Sequence, residues 1–131
     1  MTRKDAREQA FILLFQNTFK NESLEELLET ERENEAYLED EYCISTVKTT
    51  LENSEEITQL IVKYAKGWHI DRISRVAIAA LRLAICEIKY FEEIPAAVSI
   101  NEAVELVKKY ATGDDAAFVN GILGSISRQE G

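Results

Sequence analysis

The stretch "AAFVNGILGSI", Ala116 to Ile126, decides between two folds. Asn120-Gly121 is the dipeptide that most often closes a two-residue β-hairpin, but a hairpin needs alternating strands on both sides, and none flank it. Phe118, Ile122 and Ile126 recur every four residues, with Val119 and Leu123 beside them, which is the stripe of a helix. A glycine inside a helix costs about 1 kcal/mol against alanine. Ala117, Gly121 and Gly124 fall at i, i+4 and i+7, so the sequence predicts a strip of tiny side chains that another helix approaches closely. The Asn120 amide is then expected to cap or bridge a neighbouring backbone. Leucine at position 121 is expected to overpack this contact and cost roughly 1–3 kcal/mol.

Outward from that helix, the rest of the chain also reads as helical. It holds one proline and five glycines, and β-branched runs are nearly absent. Asp114 and Asp115 sit where the last helix starts, favourably placed against its positive dipole end. Thr112-Gly113 ends the helix before it, whose core face is Ile100, Ala103, Val104 and Val107 and whose start is best placed at Pro95. Upstream, "RISRVAIAALRLAICEIKYF" is apolar nearly all round from Val76 to Ile88, the mark of a central helix packed on several sides. It is capped from Asp71, with a split near Ser74-Arg75 dividing it into a short and a long piece. Gly67 closes the preceding helix, Tyr42 to Lys66, with Asn53-Ser54 as its one point of interruption, and Trp68 follows as an apolar anchor. Thr2-Arg3-Lys4-Asp5 and Ser23-Leu24-Glu25-Glu26 read as capping boxes for the first two helices. Ala6, Ala10, Leu13 and Leu14 line the first, and Leu24, Leu27 and Leu28, with Tyr37-Leu38 beyond, line the second.

Composition narrows the function. The 131 residues suffice for one compact domain. No apolar run reaches the roughly 18 to 20 residues of a membrane span, and the N-terminus lacks the pattern of a secretory signal, so a cytoplasmic location is expected. Cys43 and Cys86 stand apart in apolar helical contexts and read as small buried hydrophobes. The single histidine, His69, excludes metal motifs that need two, and no phosphate-binding glycine loop or nucleophile elbow occurs. The sequence does not read as an enzyme, and it implies no cofactor. The net charge is −9, yet it is unevenly spread. Glu22 to Glu41 holds ten acidic residues and one basic residue, whereas Met1 to Lys20 holds four basic and two acidic ones. A basic tip on an acidic body repels free RNA in general and favours a basic protein partner.

Several segments in order carry a family likeness. "AREQAFILLFQ" (Ala6–Gln16), the turn at Lys66–Trp68, "LRLAICEI" (Leu81–Ile88), "IPAAVSINEAVELVKKYA" (Ile94–Ala111) and "FVNGILGSI" (Phe118–Ile126) resemble the bacterial transcription antitermination factor NusB family. The likeness spans essentially the whole chain and is strongest from Trp68 onward. It implies an all-α fold of about seven helices, as two three-helix bundles plus an extra helix, with an N-terminal subbundle near residues 1–66 and a C-terminal one near 67–131. It also implies binding to boxA-type single-stranded RNA of nascent ribosomal transcripts together with the ribosomal protein NusE, and assembly with the elongating RNA polymerase. Some members of the family form homodimers that hide the RNA site.

The resemblance places RNA contacts at Arg3, Lys4 and Arg7 and at Asp114 and Phe118. Cations there neutralise phosphates, an arginine also stacks on bases, a carboxylate accepts from base amino groups, and a phenyl face stacks on an unpaired base. Lys108 and Lys109, one turn before the last loop, are expected to add phosphate contacts. Each of these residues also has a structural reading: solvated helix ends for the cations, a helix-start charge for Asp114, core packing for Phe118. About three phosphate contacts imply a log–log salt slope near −2. Partner contacts fall on Arg82 and Glu87, which equally read as an internal salt bridge. Where the family commonly carries an acidic–basic pair before the LR-x-A motif, this chain has Ala77-Ile78, implying an apolar contact in its place. Two other readings remain: a helical protein-interaction module with little RNA affinity, and a NusB-like domain detached from an rRNA cytosine methyltransferase. The latter requires a following methyl-transfer domain.

Overall fold

Seven α-helices and one 3-10 turn account for the regular structure of residues 1–130, the part of the chain that the computed structural model describes. They are α1 (Arg3–Asn17), α2 (Leu24–Arg32), α3 (Glu41–Glu52), α4 (Ser54–Tyr64), the 3-10 turn (Ile70–Arg72), α5 (Arg75–Tyr90), α6 (Ala96–Tyr110) and α7 (Gly113–Glu130). The fold is all-α, with no strand among the described residues. No helix among them is long and apolar enough to cross a membrane.

Side chains written into the sequence start these helices by satisfying orphan backbone donors. Thr2 accepts from the Asp5 N–H, Asp40 from Cys43 and Ser74 from Ala77. Ser23 and Glu26 form a reciprocal capping box. The segment Tyr42–Lys66 is two helices: Asn53 leaves helical geometry at φ −114°, ψ 25°, and its Nδ2 donates to the Thr49 carbonyl at 2.8 Å. Ser74, not Asp71, caps α5, because Asp71 lies inside the 3-10 turn. Gly113 opens α7 instead of ending α6, and Thr112 Oγ1 accepts from the Asp115 N–H at 3.1 Å. Gly67, past the end of α4, has φ +80°, the left-handed geometry that glycine adopts without strain.

α5 is the axis of the molecule. Every residue from Ala79 to Glu87 is buried, and the helix packs against α1, α3, α4, α6 and α7. Helices α1, α2 and α3 gather on one side of it and α6 and α7 on the other, while α4 touches α3, α5 and α7. The α1 residues Ala6, Ala10, Leu13 and Leu14 are buried as the pattern requires, and join Leu81, Ile85, Leu123 and Ile126 in the interior.

Three expectations fail in packing. The bulky stripe of α7 is buried, but Ala117, Asn120 and Gly121 face solvent. A Cβ at Gly121 would meet nothing within 4 Å, and one at Gly124 would meet only the flexible Arg128 side chain at 3.3 Å. No helix approaches that strip, because Val119, Ile122, Leu123 and Ile126 already supply the one buried face α7 needs. Tyr37 and Leu38 lie beyond α2, with Leu38 exposed. Trp68 is 57% exposed and does not anchor the core.

Candidate nucleic-acid interface

The first two turns of α1 split their charges between two neighbours. Arg3 and Arg7 turn toward Tyr42 of α3, with their guanidinium carbons 4.1 and 5.6 Å from its ring centroid. Lys4 and Glu8 turn toward α6. Lys4 Nζ lies 3.2 Å from Glu102, and Lys109 Nζ lies 2.6 Å from Glu8, which also accepts from the Tyr110 hydroxyl. The Lys109 ammonium, helped by that hydroxyl, holds the Glu8 carboxyl below its ordinary value.

Arg7 departs from its expected role. Its side chain is 5% exposed; Nε sits 2.8 Å from Glu87 and Nη1 3.6 Å from Glu102. Glu87, buried on α5, also accepts from Ser99 Oγ at 2.7 Å. The four groups tie α1, α5 and α6 together where a lone charge would be costly. Arg7 is therefore a buried partner of Glu87 in this structure, and Glu87 is no surface group. Arg3, one turn earlier, stays exposed beside α3. Arg82 and Glu87 do not pair with each other: Arg82 Nη1 donates to Asn17 Oδ1 at 3.0 Å, and burial lowers the Arg82 pKa. Arg82 lines a groove of about 670 Å³ with Asn17, Thr18, Arg75 and Ile78. Ala77 is buried, so of the pair Ala77-Ile78 only Ile78 reaches that groove.

At the entrance to α7 the two aspartates differ. Asp115 accepts from Ser74 Oγ at 3.0 Å, whereas Asp114 is exposed with no side-chain bond among the described residues. Phe118 is half-buried and meets the Trp68 indole edge-on, centroids 5.6 Å apart at 63°. These residues, with Arg72, border a notch of about 280 Å³. Lys108 is exposed, 3.5 Å from Glu105.

α6 links the two sets. Lys4 meets Glu102, Glu8 meets Lys109, and Phe11 stacks on Tyr110 at 5.4 Å, so α1 follows α6 toward its C-terminal end. Near the end of α1, Arg75 donates to the Thr18 carbonyl and lies 4.4 Å over Phe19, next to the Ser74–Asp115 bond. Lys109 and Tyr110 end α6, so the α7 entrance at Gly113 follows directly along the chain from the residues that meet Glu8. Sequence reasoning missed Tyr42, Glu8, Glu102 and Arg72. Their roles rest on contacts distant along the chain or on a loop, and no local periodicity signals them.

Such a fold and surface define a helical binding protein with exposed cations along the α1–α6 seam and exposed rings at the α7 entrance. The NusB family profile matches residues 4–128. A transcription antitermination protein NusB of Natranaerobius thermophilus is 40% identical over 134 residues, covering 98% of this chain and 96% of the relative. A crystal form of T. maritima NusB superposes with a TM-score of 0.83 at 36% identity, over 98% of this chain and 92% of the other. A crystal structure of the antitermination factors NusB and NusE in complex with double-stranded RNA superposes with a TM-score of 0.85 at 32% identity, over 96% of each chain. The chain belongs to the NusB family of transcription antitermination proteins. That family is RNA-binding and non-catalytic.

Proposed function

We propose that this protein is an adaptor domain that binds boxA-type single-stranded RNA of nascent ribosomal transcripts together with the ribosomal protein NusE. The complex then joins the elongating RNA polymerase in the cytoplasm. The observation that carries the reading is the α1–α6 strip of cations ending at the aromatic and acidic notch of α7, on a fold also found in a complex with NusE and RNA. Arg3, Lys4, Lys108 and Lys109 neutralise phosphates, while Asp114 and Phe118 sit where an unpaired base is read. Arg7 holds α1 in place from beneath. Bases stacked in a duplex do not reach a side notch, which favours a single strand here.

Lys4, Lys108 and Lys109 already face Glu102, Glu105 and Glu8. RNA must replace those carboxylates, so affinity for the lone protein is modest, and a basic ribosomal partner that adds cations raises it. The groove at Asn17, Thr18, Arg75 and Arg82 offers that partner polar groups around the apolar side chains of Ile70, Ile73 and Ile78. The test is a fluorescence-anisotropy titration with a boxA-like oligonucleotide, single- and double-stranded, with and without purified NusE. The expected result is preference for the single strand and tighter binding with NusE present. Binding of NusE with no gain in RNA affinity would replace the adaptor by a protein-interaction module.

A further inference from the structure

The notch at the α7 entrance holds more than the two residues expected to touch RNA. Trp68 belongs to the turn after α4, Arg72 to the 3-10 turn, and Asp114 and Phe118 to α7, so three separate segments converge there. Phe118 is fixed by its half-buried seat and supports the indole of Trp68 from the edge. The indole remains 57% exposed. Such a ring, held by a neighbour and open to solvent, is a stacking platform rather than a core residue. The volume of about 280 Å³ suits a flat group the size of one base, below the range of larger ligand pockets.

The polar groups of the notch are selective. Asp115 is occupied by Ser74, which leaves the Asp114 carboxylate as the acceptor without a side-chain partner. A carboxylate only accepts, and it does so with two oxygens side by side. Guanine is the base whose pairing edge offers two adjacent donors, N1–H and the 2-amino group. Uracil offers one donor, and adenine and cytosine set their amino group beside a ring acceptor that would face the carboxylate. Arg72 is exposed and forms no ion pair among the described residues, unlike Lys4, Lys108 and Lys109. It supplies a cation for the phosphate of the same nucleotide, and it disfavours a lysine or arginine side chain of a partner in the notch. No group of three metal-ligating side chains occurs among the described residues, so the carboxylates do not form a ready cation site.

We infer that Trp68, Arg72, Asp114 and Phe118 form a subsite for a single unpaired guanine nucleotide: the indole stacks the base, Asp114 accepts from its N1–H and 2-amino group, and Arg72 meets its phosphate. The inference rests on the RNA-binding reading above. It adds Trp68 and Arg72 to the interface and gives the strand a base preference that a row of cations cannot provide.

Trp68 is the one tryptophan in the chain, so intrinsic fluorescence reports on the notch directly. The probe is a boxA-like single strand in which one position at a time carries guanosine, inosine or uridine, titrated into the full chain and followed by both anisotropy and Trp68 emission. At one position guanosine should quench Trp68 and bind about tenfold tighter than inosine, which lacks the 2-amino group. Trp68→Leu should weaken that strand roughly tenfold, with an unchanged melting temperature. Asp114→Asn should abolish the guanosine–inosine difference even if removal of a negative charge raises affinity for every strand. RNA that binds by anisotropy while Trp68 emission stays constant, or with no position that distinguishes guanosine from inosine, overturns the subsite and leaves the RNA-binding reading standing. No binding of any strand overturns both. Quenching by a lysine- and arginine-rich peptide with none by RNA would assign the notch to a protein ligand.

Discussion

Arg3 and Arg7 stand one turn apart on α1 and meet opposite fates. Arg3 lies at the rim, exposed over Tyr42. Arg7 lies in the junction of α1, α5 and α6, sealed against Glu87. The same contrast separates the two regions of the molecule that carry charge. In the junction, charges are dry, paired and hydrogen-bonded, and they hold helices together. Along the outer strip, Lys4, Lys108 and Lys109 are wet and their carboxylate partners are exchangeable, so they contribute little to stability and remain available to a polyanion. Residue type and spacing are alike in both regions, and depth decides which role a cation takes.

The largest test of this contrast is Arg7→Ala, which leaves Glu87 buried without its counter-charge. Urea unfolding should show a loss of about 3–5 kcal/mol, the usual cost of breaking a buried pair from one side. Arg3→Ala should stay within about 0.5 kcal/mol, as surface changes do. Equal effects of the two would erase the distinction. Next, Lys109→Glu should weaken RNA binding by roughly an order of magnitude, since it reverses a strip charge beside Glu8, while the melting temperature moves little. A collapse in stability would place Lys109 with the structural charges instead.

Smaller effects sharpen the picture. Gly121→Ala should raise stability by up to about 1 kcal/mol, because the helix gains propensity and the added methyl meets open solvent. A loss there would restore the close helix approach that the sequence predicts. Glu8 has its pKa lowered by Lys109 and Tyr110, so its contribution is present above its unfolded value, near 4.5, and lost as pH falls through the depressed folded value. Glu8→Gln should flatten that part of a melting-temperature profile by slightly lowering the neutral-pH side and leaving the acid side unchanged. Least visible should be the thiols. Burial pushes Cys43 and Cys86 up to about 12 and about 11, so a thiol reagent at neutral pH should label them only after unfolding.

Much of this was legible in the chain itself. Period-four stripes and caps placed six helical segments, of which Tyr42–Lys66 divides at Asn53 into α3 and α4, and the all-round apolar run Val76–Ile88 marked α5 as central. The capping box at Ser23 and the helix entry at Pro95 stand where local chemistry puts them. What the pattern could not resolve was direction. The small strip of α7 had two available partners, a helix or water, and the packing of α4, α5 and α6 on the opposite face leaves it to water. Arg7 reads as a member of a basic tip until α5 and α6 bring Glu87 and Glu102 to it, from 80 and 95 residues away by their numbers. Trp68 looked like an anchor because indoles usually are; its exposure follows from the turn at Gly67 carrying it out to Phe118.

The most direct measurement is the salt dependence of single-stranded RNA binding by the unmodified protein and by Lys4→Gln and Arg7→Lys. With Arg3, Lys4, Lys108 and Lys109 on phosphates, log affinity should fall against log salt with a slope of about −3, and Lys4→Gln should reduce its size by about 0.7. Arg7→Lys keeps the charge in the junction and should lower stability while leaving the slope unchanged. A slope near zero, or one that responds to Arg7 and ignores Lys4, would contradict the assignment of RNA binding to the exposed strip.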